Sequence, residues 1–315
     1  MPFPRLSLFL LALALAYLVA LSFYPALAWN RRRRRALYVL ATLLVALTPL
    51  VIPATATLLR MLASMNAAAL MVKLYDLHAT CGPALRPTFP AYVAFLPNWL
   101  CVVWRRLPAT PQLTRREDAR RLGLALVQAG AAIAALVWLM RRDWHSVPFL
   151  AEHAAKAFTF FLALIPITHA FAALWRLAGG RGLDFMDRPL LAATPREFWR
   201  RYNRPAQQFI HDHIYRRIGG PPVRAILLTF AVSALIHEYV FGIVLGRVQG
   251  YQTAFFLLQG FAVALTLRAR PTGHRVWLAI AATFLFNVLS SVFFFASVHG
   301  VVPFYANGLP DLLRW

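Results

Sequence analysis

Long runs of apolar residues, separated by short polar loops, recur along the whole chain. A helix of ~20 apolar residues crosses the hydrocarbon core of a bilayer. We therefore expect an all-α, polytopic bundle of about 8–9 spans that forms one membrane domain over residues 1–315. The expected spans are 6–29, 36–58, 89–104, 122–140, 155–178, 221–246, 249–268 and 276–298.

The stretch 61–80, "MLASMNAAALMVKLYDLHAT", breaks this pattern because it is only partly apolar. It ends with Lys73, Asp76 and His78, three polar residues that lipid disfavours. We expect a short or re-entrant helix here rather than a full crossing.

Composition supports a membrane protein, since 60% of the residues are hydrophobic and only 14% are charged. The formal net charge of +22 comes from arginines that cluster in short loops between the apolar runs. Cytoplasmic loops of membrane proteins retain such residues, so we expect contact with anionic lipids rather than nucleic acid. The loops predicted to share the cytoplasmic side are 31–35, 105–121, 179–220 and 268–275.

The amino-terminal run has the features of a retained anchor. Arginines follow it immediately at 31–35, and the run is longer than the apolar core of a usual signal peptide. The two cysteines, Cys81 and Cys101, are too few for a disulfide framework or a zinc site, so we expect neither a metal nor a disulfide.

Residues 194–217 predict an amphipathic helix that lies in the headgroup layer. Thr194 stands three residues before Glu197, with Pro195 between them, which is typical of a capping box with proline in the first helical position. Pro205 predicts a kink near the middle. The expected apolar face carries Phe198, Trp199, Tyr202, Ala206, Phe209, Ile210, His213 and Ile214, opposite arginines and glutamines.

The apolar stretch "FAVSALIHEYVFGIV", residues 230–244, contains an adjacent histidine and glutamate. Ionisable groups inside a membrane are rare and often functional, so His237 is the first candidate for catalysis. Thr229 and Ser233 precede it by eight and four residues on the same helical face, and together they predict a polar path. The alternative is that these side chains only link helices. Glu238 points about a quarter-turn away and is the weaker candidate.

Asn203, in "EFWRRYNRP", is the second candidate for catalysis. A carboxamide can hold a substrate carbonyl or steady an oxyanion without becoming charged. Taken alone, it is equally consistent with a polar residue on an interfacial helix.

The two stretches together are more specific than either alone. "FWRRYN" at 198–203 and "SALIHEY" at 233–239 resemble the two signature regions of the membrane-bound O-acyltransferase (MBOAT) superfamily, and within it the wax synthase branch. The resemblance covers about residues 186–246. Tyr202 departs from the tryptophan that is common in the family, and no glycine stands between Trp199 and Arg200.

This resemblance implies transfer of an acyl group from a thioester donor to a hydroxyl inside the membrane. His237 corresponds to the family's catalytic histidine, a general base, and Asn203 to its asparagine. Acyl-CoA would be a co-substrate, with no other cofactor. Its phosphates would meet the arginine side chains of Arg200, Arg201, Arg204, Arg216 and Arg217, and the substrate path would be lined by Ser233, Thr229, Tyr202, Trp199 and Glu238.

Retention on the cytoplasmic side and anionic lipid contact explain the same arginines without a cofactor. A hydrophobic alcohol is the expected acceptor, in a multi-pass protein of a bacterial inner membrane. Two other functions remain open: an O-acetyltransferase that acts on a polysaccharide or terpenoid, and a transporter that uses His237 and Glu238 as a proton relay. Inverted repeats, which favour a transporter, are not evident in the sequence.

Overall fold

The computed structural model describes residues 3–82, 85–107, 109 and 113–314, and that part of the chain is helical, without a β-strand. The expected all-α class is therefore confirmed. Its α-helices are α1 (Phe3–Ser22), α2 (Arg31–Leu47), α3 (Thr57–Thr80), α4 (Phe89–Phe95), α5 (Arg115–Arg141), α6 (Phe149–Leu177), α7 (Pro195–Arg201), α8 (Arg204–His213), α9 (Pro222–Leu245), α10 (Tyr251–Leu265) and α11 (Arg275–Val301).

Seven helical segments of the described chain are long and apolar enough to cross a membrane, which confirms a multi-pass protein. The expected span 249–268 is not among them, because α10 is apolar but has only 15 residues. The seven candidate spans are Arg5–Ala28, Arg31–Val51, Thr57–Thr80, Arg115–Arg141, Phe149–Leu177, Pro222–Leu245 and Arg275–Val301.

Two expected elements of the first half are wrong. Residues 89–104 do not form a spanning helix, because α4 has seven residues and ends before Pro97, which lacks an N–H and disfavours helical geometry at the residue before it. The segment 61–80, expected to be short or re-entrant, belongs instead to the continuous 24-residue helix α3.

These two errors cancel in the topology. One crossing is gained at α3 and one is lost at 89–104, so the number of crossings before the loop 105–121 is unchanged. The prediction of a common side for the loops 31–35, 105–121 and 179–220 is therefore unchanged, whereas a common side for 268–275 would require α10 to cross as well.

The chain divides into two compact units. The first comprises Met1–Thr110 and Ile236–Val248, and the second comprises Pro111–Leu235 and Gln249–Trp315. The expectation of one membrane domain stays a prediction. In the first unit α1, α2 and α3 surround an apolar core with Phe23, Leu74 and Phe95 at its centre.

Buried cations hold the ends of the helices in the first unit. The Lys73 ammonium, which is fully buried, donates to the carbonyl oxygens of Phe95, Leu96 and Asn98 at 2.6, 2.8 and 2.6 Å. These carbonyls lie at and beyond the carboxyl end of α4, where a cation complements the helix dipole. This satisfied site explains how the polar end of α3 is tolerated within a long helix.

Arg34 of α2 has the same role at the end of α3. Its guanidinium Nη2 donates to the carbonyl oxygens of His78 at 2.9 Å and Cys81 at 2.8 Å, and Nη1 donates to Leu27 at 3.2 Å. Arg34 is 2% exposed although it belongs to a run of five arginines. One arginine of the predicted cytoplasmic cluster is therefore a structural residue.

In the second unit α5 packs along α6, α10 along α11, and α11 against α6. A buried ion pair lies near the start of α6, where Lys156 Nζ donates to Glu152 Oε1 at 2.5 Å and to the Phe304 carbonyl oxygen at 2.8 Å. Glu152 Oε1 also accepts from the backbone N–H of Ala306 at 2.8 Å. This polar cluster fixes the segment that follows α11.

The topology predicts which introduced cysteines are labelled from outside intact cells. Arg33→Cys and Arg116→Cys should not react with a membrane-impermeant maleimide, whereas His145→Cys and Val248→Cys should react. All four positions are exposed. The native thiols are a weak background, because burial raises the pKa of Cys81 to about 11 and also raises the pKa of Cys101. Labelling of Arg116→Cys from outside would contradict the proposed sides.

Candidate active site

α9 carries the candidate histidine, and helical register puts Thr229, Ser233 and His237 on one face. The Thr229 hydroxyl donates to the Ala225 carbonyl oxygen at 2.6 Å, and the Ser233 hydroxyl donates to the Thr229 carbonyl oxygen at 3.2 Å. Both protons are thus used within the helix, a common arrangement for hydroxyls in apolar helices. The polar face that the sequence predicts offers hydroxyl oxygens as acceptors.

His237 and Glu238 belong to the first unit, while Thr229 and Ser233 belong to the second. His237 is half-buried and Glu238 is 7% exposed. The next residue, Tyr239, donates its hydroxyl to the Ala46 carbonyl oxygen at 2.8 Å, which ties this turn of α9 to the carboxyl end of α2.

The region 194–217 forms two helices rather than one helix kinked at Pro205. The break lies at Asn203, whose φ of 43° and ψ of 58° are left-handed, and α8 begins immediately after it. Pro205 stands in the first turn of α8, where its missing N–H costs no hydrogen bond. The expectation of a kink at Pro205 is therefore wrong, because the proline starts a helix and asparagine tolerates the left-handed turn.

The expected start of the first helix is confirmed, with one difference in its cap. Thr194 Oγ1 accepts from the backbone N–H of Glu197 at 3.1 Å, and Pro195 is the first helical residue. The Glu197 carboxylate accepts from the backbone N–H of Ala193 at 2.8 Å, one residue before the N–H that a capping box uses.

The Asn203 side chain caps α8. Its Oδ1 accepts from the backbone N–H of Ala206 at 3.4 Å. With the oxygen directed to the helix, the amide nitrogen is the group that can donate to a ligand carbonyl. The same side chain can therefore stabilise the turn and offer a hydrogen-bond donor.

Trp199 is held inside an aromatic cluster. Its indole N–H donates to Gln259 Oε1 of α10 at 2.9 Å, and its ring packs edge-on against Phe230 of α9 at 5.5 Å between ring centroids. Gly260 lets Phe230 lie close against α10, because a Cβ there would lie 2.9 Å from Phe230 Cβ. Trp199 thus joins α7 to α9 and α10 rather than facing lipid.

Tyr202 lies in a stack of three rings. Its ring centroid is 5.4 Å from that of Phe198 and 5.8 Å from that of Phe161, with interplanar angles of 13° and 19°. Burial raises the pKa of Tyr202 to about 12, so the phenol stays neutral at physiological pH. Tyr202 also contacts Trp199, with 5.6 Å between their ring centroids.

A polar cluster behind Trp199 was missed in the sequence. Gln259 Nε2 donates to Asn287 Oδ1 at 3.2 Å and to Ser290 Oγ at 2.9 Å, both on α11. The spacing of Thr283, Asn287 and Ser290 puts them on one face of α11. This periodicity in the sequence predicts a polar face on that helix. These residues extend the hydrogen bonding of the site into the apolar bundle.

The five candidate arginines differ in what they contact. Arg201 binds other groups of the protein. Its Nη2 lies 2.5 Å from Glu197 Oε1, and its Nη1 donates to the Arg188 carbonyl oxygen at 3.1 Å. Arg204 is half-buried, and the Arg200 side chain is 71% exposed. The two beyond α8 are exposed as well, namely Arg216 and Arg217.

A model of the family described as MBOAT, membrane-bound O-acyltransferase family, matches residues 119–299. Sterol O-acyltransferase 2 of Rattus norvegicus is 28% identical over 228 residues, which cover 64% of this chain and 41% of that protein. Probable sterol O-acyltransferase 1 of Schizosaccharomyces pombe is 36% identical over 104 residues, which cover 32% of this chain and 19% of that protein.

Sterol O-acyltransferase 2 of Homo sapiens is 25% identical over 224 residues, covering 64% of this chain and 42% of that protein. The matched part of this chain thus spans less than half the length of each of these relatives. The family match takes in more than half of the 315 residues, and α7, α8 and α9 lie within it. The chain belongs to the membrane-bound O-acyltransferase (MBOAT) family.

Proposed function

We propose that this protein transfers an acyl group from a thioester donor, such as acyl-CoA, to the hydroxyl of a hydrophobic alcohol inside the membrane. The observation that carries the proposal is the paired signature, with Asn203 at a left-handed helix break and His237 in the apolar helix α9. Family membership favours this reaction class over proton or ion transport.

In this mechanism His237 is the general base. The neutral imidazole takes the proton of the acceptor hydroxyl as its oxygen attacks the thioester carbonyl carbon. The tetrahedral intermediate then expels the thiolate, and the imidazolium gives its proton to this leaving group. Transfer is direct, in keeping with a sequence that lacks a G-x-S-x-G nucleophile motif. An apolar surrounding serves the reaction because excluded water cannot hydrolyse the thioester.

Asn203 is proposed to donate its amide N–H to the carbonyl oxygen of the donor. Negative charge develops on that oxygen in the tetrahedral intermediate, and a fixed donor stabilises it. The geometry supports this role because Oδ1 is already turned toward the Ala206 N–H.

The donor phosphates are proposed to bind the exposed arginines beside this turn. Arg200 is the best placed, because its side chain is 71% exposed and its contact with Glu197 is weak. The distance from Nη2 to Glu197 Oε1 is 3.8 Å. Arg204, Arg216 and Arg217 are further candidates. Arg201 is better understood as a residue that stabilises α7 through Glu197.

The acceptor is proposed to be an apolar alcohol. The motif resembles the wax synthase branch, which suggests a long-chain alcohol, whereas the named relatives are sterol O-acyltransferases, which suggests a ring alcohol. Lipid extracts of cells with and without the gene, compared by mass spectrometry, decide between these esters. An acetylated polysaccharide as the sole product would exclude both.

The proposal predicts that His237→Ala abolishes acyl transfer while the protein still inserts and is extracted in detergent at normal yield. General bases contribute ~10²–10⁴-fold, so residual activity should be about one per cent or less. Glu238→Gln, a substitution of similar size at a buried position, should cost less. Substantial transfer by well-folded His237→Ala would show that His237 is a packing residue and not the general base.

Asn203→Asp separates catalysis from capping. Aspartate keeps the acceptor oxygen for the Ala206 N–H and tolerates a left-handed turn, but it lacks the amide donor. We expect kcat to fall by ~10²-fold or more, the cost typical of losing one oxyanion donor, with little change in thermal stability. Near-normal kcat would show that Asn203 acts only as a cap.

The arginine proposal predicts a change in donor affinity alone. Arg200→Gln should raise the KM for acyl-CoA several-fold and leave the KM for the alcohol unchanged, because only the donor carries phosphates. Arg247→Gln, at an exposed position in the loop after α9, is the matched control and should change neither. Equal effects on both substrates would assign Arg200 to lipid anchoring.

A further inference from the structure

The left-handed turn at Asn203 lies against a second segment of the same unit. The backbone N–H of Arg204 donates to the Phe185 carbonyl oxygen at 2.8 Å, and the backbone N–H of Asp187 donates to the Arg201 carbonyl oxygen at 2.9 Å. These two hydrogen bonds bracket Asn203 on both sides. The segment 182–188, which we call the bracing segment, therefore supplies the backbone partners that the break between α7 and α8 requires.

One buried arginine ties the bracing segment to the helices. Arg176, near the end of α6, donates through Nε to Asp118 Oδ1 of α5 at 2.8 Å and through Nη1 to Asp184 Oδ1 at 2.9 Å. Nη1 also donates to the Gly182 carbonyl oxygen at 3.3 Å. The side chains of Arg176 and Asp118 are 6% and 3% exposed.

Other contacts hold the same segment to the same helices. Arg121 of α5 binds the second oxygen of Asp184 at 3.0 Å, and the His169 ring of α6 is hydrogen bonded to the Met186 carbonyl oxygen at 3.1 Å. Arg121 is about half-exposed, so solvent screens its pairing with Asp184 more than that of Arg176. The buried pairs made by Arg176 are thus the main electrostatic link.

A left-handed non-glycine residue persists only where its surroundings fix it. Asn203, with φ of 43°, and Arg188, with φ of 47°, both adopt this conformation at the ends of the paired stretch. Loss of the Arg176 charge would remove the buried partner of Asp118 and leave Asp184 with the solvent-screened Arg121, and loss of a buried partner disturbs local structure strongly. Through the bracing segment, these contacts connect Arg176 to the Asn203 turn.

We propose that Arg176, with Asp118 and Asp184, is a positioning unit that holds the Asn203 amide in the orientation needed for acyl transfer. The proposal rests on the function proposed above, since it takes Asn203 as the group that meets the donor. Arg176 acts through the bracing segment and does not itself contact the substrate.

The conformational part is tested by hydrogen–deuterium exchange of the detergent-purified protein without substrate. In Arg176→Met, a peptide covering residues 198–206 should exchange faster, because the Arg204 N–H loses its fixed acceptor. Asp184→Asn, a milder variant, should do so to a smaller extent. Arg116→Met removes an exposed charge from α5 and is the matched control, with no expected change. Unchanged exchange in both variants would overturn the proposal, whether or not acyl transfer has been detected.

The functional part is tested by kinetics on the same proteins. Misorientation of a catalytic group costs ~10–10²-fold in rate, so Arg176→Met should lower kcat in that range with the KM for acyl-CoA within about twofold. Arg176→Lys keeps the charge but not the forked geometry that reaches both carboxylates, so it should restore kcat in part. Faster exchange with normal kcat, or equal loss in the Met and Lys variants, would contradict a positioning role. Absence of transfer in the wild type would instead reject the proposed function, and the exchange result would still stand.

Discussion

A polar group inside hydrocarbon has no water to bind, so the protein itself must supply its hydrogen bonds. This constraint explains the buried cations of both units. Lys73 and Arg34 donate to carbonyl oxygens at helix ends, while Arg176 and Lys156 pair with carboxylates. Each of them fixes a place where a helix ends and the chain turns. The hydrogen bonds and ion pairs that satisfy these charges therefore also determine where the chain turns.

The same constraint governs the candidate site. A helix break leaves backbone groups without intrahelical partners, and at Asn203 the bracing segment and the asparagine side chain bind them. Trp199 finds its partner in Gln259, which in turn binds Ser290. The arrangement leaves a chemical group, the Asn203 amide, on a turn that the rest of the second unit holds in place.

Several features were predictable because they are local. Thr194 and Pro195 mark the start of α7, and the apolar run around His237 marks α9, since caps and long apolar periods are determined by nearby residues. The paired motif indicated the family for the same reason. Its residues lie within one contiguous region of the chain.

Other features were not predictable because they depend on distant partners. Lys73 favoured a short helix in the sequence, because an unpaired ammonium is disfavoured in lipid. Its three carbonyl partners lie 22 to 25 residues away in the chain and are visible only in the structure. Pro205 predicted a kink, but the break lies at Asn203 because the bracing segment binds the backbone there. Gln259 was not predicted as a site residue because its role depends on Trp199, which lies 60 residues away in the chain.

The central claim is direct acyl transfer within the membrane, and a rapid acid quench tests it most directly. Purified protein in lipid nanodiscs is mixed with acyl-labelled long-chain acyl-CoA and a long-chain or ring alcohol, then quenched within one turnover. The account predicts that label passes to the alcohol ester in step with CoA release, with none attached to the protein. Label bound covalently to the protein before ester appears, or no ester with either alcohol, would contradict it.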